Sequence, residues 1–120
     1  MSRLSRIAPE VPVANLRAAI DEYEQKLGFR VAMRMPAGDY AIVERDEVAI
    51  HLFQDDGKIH APVGIHIFVD QLDELYTELA GRGARISQPI ERKPWGNRDF
   101  RVTDGSGNLV KFTEPSSDDE

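Results

Sequence analysis

The sequence contains no cysteine. That removes disulfides, thiolate metal ligands and a cysteine nucleophile together. No apolar run approaches the roughly 20 residues needed to cross a bilayer, so no membrane partner is expected. Positive charge is in the minority: 15 Lys and Arg against 21 Asp and Glu leave a net charge of −6. A nucleic-acid partner is therefore not expected, because such binders need a basic face. An acidic chain attracts cations at long range, but solubility alone is the simpler account of the charge. The opening stretch MSRLSRIAPEVPV lacks an apolar core followed by a small-residue cleavage site. No secretory signal is expected from it, and the cytoplasm is the expected location.

What is present fits one compact domain spanning 1–120, with 41% hydrophobic and 30% charged residues. The stretch NLRAAIDEYEQKLGF reads as a helix. Asn15 is a good N-cap, Leu16, Ile20, Tyr23 and Leu27 recur at helical spacing, and Gly28 supplies the stop. A short strand near Ile7 to Val11 precedes it, and FRVAMRM, DYAIVERD and EVAIHLF follow as strands. The second half repeats the order. VGIHIFV is a strand, DQLDELYTELAGRGA a helix ending at Gly83, and ARISQPIE, RDFRVTD and NLVKFTE are strands, with DGSG turning the last hairpin.

The chain thus reads as two βαβββ modules, about 5–53 and 62–115, joined by the polar stretch 54–63 and followed by an acidic tail, 116–120. The expected class is α+β: curved mixed sheets around a cleft, helices outside. Small four-stranded sheets leave open edges, which predicts a homodimer.

This arrangement, with the NLRAAIDEYEQKLGF opening and the VTDGSGNLVKFTEP close, resembles the vicinal-oxygen-chelate superfamily. That group includes glyoxalase I, extradiol dioxygenases and bleomycin-resistance proteins. LDELYTEL, KPWGNRDFRVTDGSGN and the acidic tail are most similar to the bleomycin-resistance branch. The superfamily's metalloenzymes take His, Gln or Glu ligands from four strands. The resemblance puts those positions at Ala8, Ile50, Gly64 and Lys111, with Glu10 close to the first. Three of the four side chains cannot ligate a divalent ion, and a lysine ammonium repels it. No metal, no other cofactor and no catalytic residue are expected.

The resemblance instead implies a small-molecule partner, a bleomycin-type antibiotic or another flat ligand, stacked at a dimer groove. The clamp falls on Tyr40 and His66, with Phe68 on the same strand face and Trp95 matching the family's PWG segment. Planar rings stack on such side chains. Arg98 and Lys111 complete the candidate set. Glu10, Asp39, Glu44 and Asp99 could favour a basic ligand, Arg34 and Arg98 an anionic one, and the sequence leaves the sign open. Each of those carboxylates is more simply a solvated surface group. If Ile50 faces the cleft, His51 points toward the helix or the subunit interface. His60 belongs to the linker and reads as a surface residue. No nucleophile elbow or phosphate loop is present. The alternative reading is a glyoxalase-like lyase or isomerase with displaced metal ligands.

Overall fold

The computed structural model of the protein describes residues 1–55 and 61–115. His60 and the acidic tail lie outside the described residues. The element order is β1 (Glu10–Val13), α1 (Leu16–Gln25), β2 (Arg30–Arg34), β3 (Tyr40–Arg45), β4 (Val48–Gln54), β5 (Gly64–Phe68), α2 (Leu72–Gly81), β6 (Ile86–Arg92), β7 (Arg98–Thr103) and β8 (Leu109–Glu114). The strands form two mixed sheets, sheet A in the order β1-β4-β3-β2 and sheet B in the order β5-β8-β7-β6. In each, the first strand runs parallel to the last strand of its module and the rest pair antiparallel. This is the expected α+β class with a helix on the outside of each sheet.

Local chemistry explains α1. The Asn15 side chain accepts from Ala18 N at 3.0 Å, satisfying one orphan donor of the first turn. The predicted stripe Leu16, Ile20, Tyr23 and Leu27 is buried. Gly28 then takes a positive φ of 75°, a conformation that costs glycine little. The first strand lies later than the sequence suggested, at Glu10–Val13 instead of Ile7 to Val11. Its limits are set by the parallel register with β4, in which Glu10 pairs with His51 and Val13 with Gln54.

The helix-facing sides of the sheets are apolar. Val11, Val13, Ala41, Val43, Ile50 and Leu52 line sheet A, and Phe100, Val102, Val110 and Phe112 line sheet B. The two modules are tied by buried polar contacts. Tyr23 Oη donates to Asp104 Oδ2 at 2.8 Å, and Asn108 Nδ2 donates to Pro12 O at 2.8 Å and to Asp104 Oδ2 at 3.0 Å. Arg45 adds a forked pair to Glu78, at 2.6 and 2.9 Å.

Candidate ligand-binding faces

Burial of alternate residues by the helices leaves the opposite face of each sheet to the remaining side chains. On sheet B the register builds two rows. One runs His66, Lys111, Arg101 and Gln88 across β5, β8, β7 and β6. The next runs Phe68, Thr113 and Asp99. The His66 and Phe68 rings lie 4.4 Å apart at 31°. His66 Nε2 and Thr113 Oγ1 are hydrogen-bonded at 2.6 Å. Burial, then the Lys111 ammonium, hold the His66 imidazole below its ordinary value. Asp99 opposes this and Arg101 reinforces it. That direction favours the uncharged ring, the form that does not repel a cation. Asp99 is no solvated surface carboxylate: it is 2% exposed, accepts from Gln88 Nε2 at 2.6 Å and lies 3.7 Å from Lys93 Nζ.

On sheet A, Tyr40 and His51 share the open face with Glu10. Tyr40 Oη donates to Glu10 Oε2 at 2.7 Å and lies 2.7 Å from His51 Nδ1. A phenol has one proton. Once it is given to Glu10, the contact requires His51 Nδ1–H to donate to the phenol oxygen. Desolvation, then the bond to Glu10, push the Tyr40 phenol up to about 12. The orientation at β4 corrects the sequence reading: Ile50 is fully buried beneath α1, and His51 faces outward.

Of the six candidate residues, the structure brings His66, Phe68 and Lys111 together on sheet B. Tyr40 stands on sheet A. Trp95 is 67% exposed in the turn between β6 and β7. Arg98 is not brought to the open face. It alternates with Asp99 and so shares the side of Phe100 and Val102. There it is tied to Asp73 at 2.9 Å and Glu114 at 2.7 Å. Arg101 was missed, although its parity along RDFRVTD opposes it to Phe100 and Val102. His51 and its bond to Tyr40 had no sequence signal. A recess of about 520 Å³ lies elsewhere, between the modules, lined by Phe29, Val48, Ile67 and Leu75 with Glu47 and Glu74. Only Phe68 belongs to both regions.

A profile of the Glyoxalase/Bleomycin resistance protein/Dioxygenase superfamily matches residues 3–112. The chain belongs to this superfamily. Within it, the bleomycin resistance protein of Geobacillus stearothermophilus is 28% identical over 123 residues, covering 87% of this chain and 92% of that protein. The solved structure of TioX from Micromonospora sp. ML1 superposes with a TM-score of 0.82 at 26% identity, over 92% of this chain and 98% of that one. The bleomycin resistance determinant encoded on transposon Tn5 matches with a TM-score of 0.81 at 19% identity, covering 92% and 98%. That last likeness shows the fold alone.

The residues do not fit the divalent ion that the superfamily's metalloenzymes hold. Gly64 has no donor, and Lys111 brings a positive charge to the last strand. On β4 the outward residues are Ala49, His51 and Phe53, and the His51 ring is engaged by Tyr40. Among the described residues, no three His, Cys, Asp or Glu gather where they could bind a metal.

Proposed function

We propose that the protein is a small-molecule binding protein of the bleomycin-resistance type. It sequesters a glycopeptide-like antibiotic or another flat ligand without making or breaking a bond. The observation that carries this reading is the His66 ring lying against Phe68, centroids 4.4 Å apart and tilted by 31°, with Phe68 itself 61% exposed. Together they present a ready aromatic platform. The 28% identity to a bleomycin resistance protein supports the same reading.

The protein works in the cytoplasm as a homodimer. Its bare sheet faces and exposed Phe68 and Trp95 would otherwise leave apolar surface in water. In the dimer, Tyr40, on sheet A, and His66 and Phe68, on sheet B, flank the ligand, with Trp95 at the rim. The test is a titration with metal-free and copper-loaded bleomycin, followed by Trp95 fluorescence, with zinc and nickel added separately. Saturable quenching by the drug at about one equivalent per chain, with none by the metals, is expected. A stoichiometric response to a metal alone would overturn the reading in favour of an enzyme.

A further inference from the structure

Lys111 and Arg101 occupy directly opposite positions on β8 and β7. Side chains so placed start about 5 Å apart, and like charges there destabilise a sheet. Among the described residues, no ion pair reaches either side chain. The face's ion pairs go elsewhere: Lys93 takes Glu91 at 2.8 Å and lies 3.7 Å from Asp99. Arg101 Nε is buried and has no acceptor. A buried guanidinium donor without a partner is costly, and in a native structure such a group calls for an explanation, a bound ion or ligand being one. Beside this pair, on the same face of β5, stands Gly64, one row on from the His66–Lys111 row. A Cβ built there meets nothing within 4 Å, so the space over Gly64 is open. The Asp99 carboxylate lies on the other side of the pair, in the Phe68–Thr113 row, held by Gln88 and Lys93.

We infer that the ligand of this face is a flat molecule bearing an acidic group. Its carboxylate, sulfonate or phosphate sits over Gly64 against Lys111 and Arg101, and its ring lies on His66 and Phe68. This rests on the binding reading above and narrows it from a flat ligand to an aromatic acid. Arg101 offers a planar fork that matches a carboxylate, and Lys111 a point charge beside it. The net charge of −6 opposes anions at long range, so the pair confers selectivity at contact and no steering.

Amide NMR titrations with naphthalene-2-carboxylate, naphthalene-2-carboxamide and 2-naphthylmethylammonium test this, because the three probes share one ring system and differ in charge. The carboxylate is expected to bind roughly tenfold more tightly than the carboxamide, the size of one charge-assisted hydrogen bond. Shifts should centre on Gly64, His66 and Phe68. K111M and R101M should each abolish that preference, and K111R should restore most of it. If R101M fails to fold, K111M and K111R decide. Equal binding of carboxylate and carboxamide, or a preference for the ammonium, with shifts still at His66 and Phe68, overturns the acid and leaves the stacking platform standing. No shift at His66 or Phe68 with any probe overturns both.

Discussion

Replacing Tyr23 with phenylalanine removes one oxygen from the buried joint between the modules. The consequence can be worked out from the contacts. Tyr23 is fully buried, and its hydroxyl donates to Asp104 Oδ2 at 2.8 Å. Burial, reinforced by Asp104, raises the phenol well above its ordinary value, so the hydroxyl stays protonated as a donor. In Y23F the carboxylate keeps Asn108 Nδ2 on Oδ2, and the Ser106 and Asn108 amides on Oδ1. One hydrogen bond to a charged group is lost and no carboxylate oxygen is left bare. The cost is about 2 kcal/mol. At roughly 2.1 cal/mol/K of unfolding entropy per residue, a chain of this length loses about 8 °C of Tm. Differential scanning calorimetry at one fixed protomer concentration measures this, since oligomers melt with mass action. A second arm pairs Y23F with D104N in a double-mutant cycle, where groups in contact couple by about 0.5–3 kcal/mol. A Tm loss below about 2 °C, or strict additivity of the two changes, would refute the assignment of the Tyr23–Asp104 bond as one of the ties between modules.

Three further outcomes follow. The Arg45 fork holds Glu78 down at about 2, so its stabilising share is present above pH 4.5 and is lost as pH falls from there toward 2. With a third of the side chain exposed, solvent screening reduces that share to roughly 1 kcal/mol, and E78Q should flatten the acid limb of a urea-stability profile by about that much. His66 should titrate below its ordinary value in an imidazole NMR experiment, and K111M should move the midpoint upward; an unchanged midpoint would separate Lys111 from His66. Sedimentation at micromolar concentration should show a dimer, and a lone 13.5 kDa species would remove the two-chain groove.

Much of the fold was legible because helix stripes and glycine stops are local. Leu16, Ile20, Tyr23 and Leu27 repeat at one period, and Gly28 and Gly83 both take positive φ. Strand faces were harder. In EVAIHLF one alternating set is Val48, Ile50 and Leu52 and the other Glu47, Ala49, His51 and Phe53, so the alternation favours burying Ile50, against the resemblance's placing of it in the cleft. Packing under α1 decided it. Parity was decisive in RDFRVTD, where Phe100 and Val102 claim the core side and send Arg98 with them. Reading that alternation would have exchanged Arg98 for Arg101. The Glu10–Tyr40–His51 chain joins three strands, and only the register of β1, β3 and β4 brings it together.

The sign of the ligand is the point on which composition and structure part. At physiological salt the Debye length is about 8 Å, so most of the net charge is screened at the open face of sheet B and local groups decide. There the resemblance to the superfamily's metalloenzymes puts one of their four ligand positions at Lys111. A carboxylate at that position recruits a cation, which then polarises an oxygen of the substrate. An ammonium presents positive charge to the ligand directly, and Arg101 doubles it across the strand pair. In the proposed reading this exchanges a site that activates an oxygen-bearing molecule for one that only holds it. A lysine offers a ligand oxygen hydrogen bonds, but far less polarisation than a divalent ion at coordination distance. On that argument K111E should weaken binding of naphthalene-2-carboxylate beyond the K111M loss, because it places a like charge where the neutral side chain merely removes an attraction. A K111E protein that binds the carboxylate as well as K111M does would show that the acidic group lies elsewhere.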